Sequence, residues 1–264
     1  GQQKQNSRTT GQQELFENKS ESFSSQSNDS SHVYYTKDSI ENRLKTLYQE
    51  KKVIGFYLTG HPIKEYTKEI SAMSINNIDS YFKKLYSRES TTDYSEFATV
   101  SGVITSIRSQ RVGADRFINI ITIDDSTHCL EIIVYPDIYE KYQSLIKENQ
   151  ILFFSGTIAV DEYNGELSMK ATKIIDIDSA RQQYSKEIEL FISPEHINDF
   201  TLGKIIDLLE PYKNGKCPLT IKCLSEKHIV PLNLANEWMI SPNSLLINSL
   251  SDLLGKENIN VKYQ

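Results

Sequence analysis

The chain has 264 residues, 29 Lys+Arg against 35 Asp+Glu, and a formal net charge of −6. That length suits two or three small domains, and no apolar run approaches the roughly 18 residues of a membrane span, so no membrane partner is expected. The acidic balance excludes a protein whose whole surface attracts polyanions.

Residues 1–36 are rich in Ser, Thr, Asn and Gln. Their few apolar side chains cannot offset the entropy of ordering, so the segment is expected to be disordered. Within it Gln12-Gln13-Glu14-Leu15-Phe16 places two large apolar residues side by side in a polar tail, either stray apolar residues or a short binding peptide. The chain opens on Gly1 rather than Met and without an apolar signal core, which reads as a piece of a longer polypeptide.

Residues 37–94 form a helical segment with ten basic and eight acidic residues. Asp38 and Glu41 make a capping box, and Ile40, Leu44, Leu47 and Ile54 fall near one helical face. Gly55 and Gly60-His61-Pro62 interrupt it, and Pro62 opens a second helix with Ile63, Tyr66 and Ile70 on one side. His61 reads as a cap or turn residue. A weaker helix over Asp79–Tyr86 precedes a polar link at Ser87–Asp93.

Residues 95–180 change period. Strands are predicted over Ala98–Arg108, Phe117–Ile123, Leu130–Val134, Ile151–Val160 and Leu167–Ile177, with a helix over Pro136–Ile146. Asn164-Gly165 marks the last hairpin. Three strands, a helix and two strands is the order of a five-stranded OB barrel, and Gly102 and Gly156 suit the bends of so small a barrel. OB folds hold single strands with basic grooves and aromatic platforms. Arg108, Arg111 and Arg116 bracket the first strand connection, and Tyr135 and Phe117 are candidate stacking residues. Yet this piece has thirteen acidic and seven basic residues. Three arginines on phosphates would give a salt slope of only about −2. The second strand is apolar on both faces, so its inward side is not assigned.

Asp124-Asp125 ends a strand before Ser126-Thr127 and reads as a structural turn. His128-Cys129 has no second pair at zinc spacing, and Cys217 and Cys223 read as packing residues, so no metal and no cofactor is expected. Three cysteines in no even framework fit the reducing cytoplasm.

Residues 181–264 run strand, helix, strand, strand, helix, strand: Ile188–Ile192, Pro194–Tyr212, Leu219–Cys223, Val230–Leu234, a helix from Pro242 capped by Ser241 and stopped at Gly255, and Ile259–Tyr263. This is the split βαβ plan. The fold class is therefore α+β and multidomain: a disordered tail and helical segment, an OB barrel, and a βαββαβ C-terminal domain.

Several stretches together resemble the C-terminal part of the alpha subunit of bacterial DNA polymerase III. They are Gly55-Phe56-Tyr57-Leu58-Thr59-Gly60-His61-Pro62, Thr122-Ile123-Asp124-Asp125, Ile151–Gly156, Leu167-Ser168-Met169-Lys170, Leu209-Glu210-Pro211 and Trp238-Met239-Ile240-Ser241-Pro242. Gln12-x-x-Leu15-Phe16 lies upstream, where that family carries its internal sliding-clamp motif. The resemblance implies three partners: the sliding clamp (beta subunit) through Gln12, Leu15 and Phe16; the tau subunit of the clamp loader through residues 181–264; and, weakly, single-stranded DNA. It also implies that the parent is a DNA-directed DNA polymerase whose catalytic carboxylates lie elsewhere, leaving this segment inactive alone. A stand-alone OB nucleic-acid-binding module, like a tRNA anticodon-binding domain, is the alternative.

Overall fold

The computed structural model describes residues 40–87, 94–112, 116–161, 165–194, 197–224, 229–234 and 236–263. All lie in one compact unit, Ser39–Gln264. Asp38 of the expected capping box, and Gln12, Leu15 and Phe16, lie outside the described residues.

Helix α1 spans Ile40–Ile54. It stops at Gly55, whose φ of +93° suits a residue without Cβ and whose N–H returns to the Lys51 carbonyl at 2.8 Å. His61 then caps a short 3₁₀ turn, Pro62–Glu65, its Nδ1 accepting from the Ile63 N–H at 3.3 Å. The single helix expected from Pro62 is thus two pieces: Tyr66, at φ −107°, breaks the 3₁₀ turn from α2, Thr67–Ala72. Helix α3, Ile78–Tyr86, starts one residue before the expected Asp79, with Asn77 as its cap.

The barrel comprises β1 (Ser95–Val112), β2 (Arg116–Asp124), β3 (Cys129–Val134), β4 (Ile151–Val160) and β5 (Leu167–Asp176), closed in the order β1-β2-β3-β5-β4. Helix α4, Pro136–Tyr142, joins β3 to β4 and ends one turn before the expected Ile146, which instead drops into the core. Strand β1 serves two neighbours: Ser95–Val103 pairs with β4, and Val103–Val112 runs on with β2 as a hairpin arm. Gly156 sits where β4 and β5 shift register, and a Cβ there would lie 2.0 Å from the Lys170 carbonyl oxygen.

Strand β4 is apolar on both faces because both are covered. Leu152, Phe154 and Ile158 fill the barrel with Ile121, Ile123, Ile132 and Met169. Outward-facing Phe153 instead joins Val103, Ile63, Ile70, Met73, Ile75 and Ala180 in a second cluster under α2. Each such buried side chain contributes roughly 1.5–3 kcal/mol.

Sequence periodicity does not predict α5, Ile177–Tyr184, which Asp176 caps by accepting from the Ser179 N–H at 2.8 Å. It leads directly into β6, Ser185–Ile192. Helix α6, Asp199–Leu209, begins later than expected because Asn198 provides the cap. A short strand not expected from the sequence, β7 (Lys213–Cys217), bridges Ile240. With β8 (Leu219–Leu224), β9 (Ile229–Asn233), α7 (Ser244–Leu254) and β10 (Ile259–Tyr263), the C-terminal sheet has the order β10-β6-β8-β9. Asn243, not Ser241, caps α7, accepting from the Leu246 N–H at 2.8 Å, while the Ser241 N–H donates to Tyr212. Ile188, Leu190, Ile192, Ile205, Leu209, Leu246 and Leu250 form this domain's core. Cys217 is buried among them and Trp238 packs against them.

Candidate nucleic-acid interface

The hairpin arm carries the expected basic residues. Arg111 lies directly opposite Phe117, and both are exposed. Arg108, however, reaches across β2 to Glu131, Nη2 to Oε1 at 2.7 Å. This half-exposed pair adds little stability, but it neutralises one of the cations counted for phosphate binding. Arg116 opens β2 opposite Val112; its side chain is outside the described set. Tyr135 is exposed at the N-cap of α4 and follows Val134, whose partner on β2 is Asn119, so it stands beside the arm.

Ile121 and Ile123 point into the barrel and mark the inward side of β2. Phe117 shares their parity but lies toward the barrel's end, where it is 56% exposed. Arg111 and Phe117 thus belong to one exposed arm with Tyr135 beside it, and Arg108 is held back by Glu131.

A second site lies at the other end of β2, roughly 27 Å along the strand at ~3.4 Å per residue. Here a cleft of about 750 Å³ separates the Gly55–Lys64 segment from the β2–β3 turn. Asn149, in the left-handed region at φ +66°, anchors α1 there. Its carbonyl accepts from the Tyr48 hydroxyl at 2.6 Å, and its side-chain oxygen from Tyr57 and Lys51, each at 3.4 Å. Burial pushes the Tyr48 and Tyr57 phenols up to about 12. Glu50 closes the loop by accepting from the Leu58 and Thr59 N–H groups and the Thr59 hydroxyl; those Thr59 bonds hold its carboxyl below the usual range.

On the barrel side Asp124 and Asp125 are spent on structure. Asp125 is buried and accepts from the N–H groups of Ile78 (2.6 Å), Thr127 (2.8 Å) and His128 (3.1 Å) and from the Thr127 hydroxyl. Asp124 accepts from the Ser126 N–H at 2.8 Å and lies 3.4 Å from His61 Nε2, an ion-pair distance without hydrogen-bond alignment. The neighbouring His61 imidazole keeps its carboxyl low. His128 stacks on Phe82, ring centroids 4.8 Å apart, with Nδ1 3.5 Å from Asp79. Burial raises the neighbouring Cys129 thiol. Among the described residues no group of three His, Cys, Asp or Glu side chains could hold a metal, and no helix is long and apolar enough to cross a membrane.

Residues 98–177 match the OB-fold nucleic acid binding domain family, and residues 204–255 match the C-terminal domain of DNA polymerase III subunit alpha. The chain resembles the C-terminal part of the bacterial DNA polymerase III alpha subunit. The Escherichia coli K12 subunit is 29% identical over 214 residues, covering 81% of this chain and 18% of its own length. The Buchnera aphidicola subunit is 29% identical over 223 residues, covering 84% and 18%, and the Vibrio cholerae subunit 26% identical, covering 81% and 18%. The chain therefore spans about a fifth of the length of these polymerase III alpha relatives. The residues that line the cleft were legible as a motif, Gly55–Pro62, but not as a site: their convergence on the β2–β3 turn is a tertiary fact.

Proposed function

We propose that this chain is the interaction region of a replicative polymerase III alpha subunit in the cytoplasm, holding the enzyme at the replication fork rather than performing nucleotide transfer. One observation carries the reading: an OB-fold match over 98–177 is followed, in the same chain, by a polymerase III alpha C-terminal match over 204–255. A stand-alone anticodon-binding module accounts for the first match but not the second.

Three contacts follow in this reading. Gln12, Leu15 and Phe16 bind the sliding clamp; burying Leu15 and Phe16 is worth roughly 1.5–3 kcal/mol each, offset by ordering the tail, so the peptide alone binds weakly. Residues 181–264 bind the tau subunit. The arm with Arg108, Arg111, Arg116 and Tyr135 touches single-stranded DNA weakly. Weak contacts become effective when several engage one assembly and raise the local concentration. Titrating the chain with purified sliding clamp tests the first contact: Leu15→Ala/Phe16→Ala should abolish binding, and equal binding by wild type and variant would remove the clamp assignment.

A further inference from the structure

We propose that the cleft between the Gly55–Lys64 segment and the β2–β3 turn is a single-stranded DNA site, and a stronger one than the hairpin arm. The inference rests on reading the chain as a DNA-handling segment and assigns that contact to a place outside the barrel's arm.

Lys51 and Lys64 line the cleft, and among the described residues neither has a carboxylate within ion-pair distance. The acids nearby are already engaged: Glu50 by Leu58 and Thr59, Asp124 by Ser126 and His61, Asp125 by Ile78, Thr127 and His128. The arm shows the reverse, with Arg108 bound by Glu131. Neither cleft lysine is thus tied to a carboxylate, while the nearby carboxylates, still charged, are held in place as acceptors for their own neighbours.

Aromatic surface lies beside those cations. Phe56 is 56% exposed and Leu58 65%, although both are large apolar side chains. The Tyr57 ring lies next to them, with Lys51 Nζ 5.2 Å from its centroid and the His61 ring edge-on at 5.3 Å. A stacking face flanked by lysines is the combination that holds a single strand regardless of sequence. A base stacks on Phe56 while the adjoining phosphates reach Lys51 and Lys64. The helical segment also carries the chain's basic surplus, ten basic against eight acidic residues over 37–94.

The test uses the full chain and a fluorescent thirty-residue oligothymidine in low salt, read by anisotropy. Lys51→Ala/Lys64→Ala should weaken binding about tenfold and reduce the salt slope by about 1.4, the value for two phosphate contacts on a single strand. Phe56→Ala should weaken it about fivefold or more. Lys45→Ala/Lys52→Ala, two exposed lysines of α1 away from the cleft, controls for bulk charge and should change binding less than threefold. Arg108→Ala/Arg111→Ala should also cost less than the cleft lysines. If the arm variant, or the α1 control, loses as much as the cleft variant, the cleft assignment is overturned while DNA binding by the chain stands. If wild type does not bind the oligonucleotide at all, the single-strand part of the proposed function falls with it. All the substituted side chains are exposed or line an open cleft, and an unchanged melting temperature confirms that the variants fold.

Discussion

Arg181 and Glu69, 112 positions apart, form a two-pronged ion pair, Nε to Oε1 at 2.6 Å and Nη2 to Oε2 at 2.8 Å. Around it the Tyr263 hydroxyl donates to Glu69, Arg181 Nη1 donates to the Ser244 hydroxyl at 2.6 Å, and Asp178 accepts from the Ser244 N–H at 2.8 Å. The cluster ties α2, α5, α7 and β10 together, so the helical segment, the barrel's exit helix and the C-terminal domain share one fastening. Burial opposes the charge on Arg181, but Glu69 outweighs it and raises the guanidinium's affinity for its proton.

Breaking this fastening should be costly. Glu69→Ala leaves the Arg181 side chain, only 8% exposed, charged and without its main partner. The expected loss is about 3 kcal/mol, the usual cost of orphaning one member of a buried pair. Urea denaturation of wild type and variant measures it.

The open face of the C-terminal sheet should confer a pH dependence. Glu189 is 3% exposed there; burial opposes its ionisation, but Lys222 and Lys262 (each 2.6 Å) and Asn260 (2.9 Å) outweigh that and hold its carboxyl at about 2. The folded value lies below the unfolded one. The stabilisation is therefore fully present above the ordinary carboxylate range and is lost as pH falls toward 2. Glu189→Gln should flatten the stability profile between about pH 4.5 and 2, as followed by thermal melts across that range.

Asp125 should prove structural in a measurable way. Asp125→Ala removes the acceptor of three backbone N–H groups, including that of Ile78 at the start of α3. About 2–3 kcal/mol should be lost, with α3 loosened first. Hydrogen exchange at Ile78 reads the local effect and denaturation the global one.

Gly156→Ala places a Cβ against the backbone of β5, 2.0 Å from the Lys170 carbonyl oxygen. Backbone cannot yield as a side-chain tip can, so the β4–β5 pairing must shift. A destabilisation of about 2 kcal/mol is expected, in the usual range for overpacking. Calorimetry compares it with Gly203→Ala, where nothing outside the local backbone of α6 lies within 4 Å of the added carbon.

Local chemistry was legible wherever it decided the outcome by itself. The Gly55 and Gly255 helix stops, the barrel's strand order and the βαββαβ succession all follow from period, caps and glycines. The errors fall where two local signals compete. Asn243 displaces Ser241 as the α7 cap because the helix begins only at Ser244, which puts the Asn243 side-chain oxygen in reach of the Leu246 N–H. Helix α5 escapes periodicity because it is short, polar and held by the Asp176 cap and the Arg181 cluster rather than by an apolar stripe.

By itself the sequence determined the elements, their order and the likeness to polymerase III alpha, because caps, breakers and hydrophobic period act within a few residues. It also counted the charges but could not say which were already spent. Only the tertiary structure decided that Arg108 is held by Glu131, that Asp125 also accepts from Ile78 at the start of α3, and that Lys51 and Lys64 face an open cleft beside Phe56. Such pairings join residues dozens of positions apart, and their energies depend on distance and burial that no single segment contains.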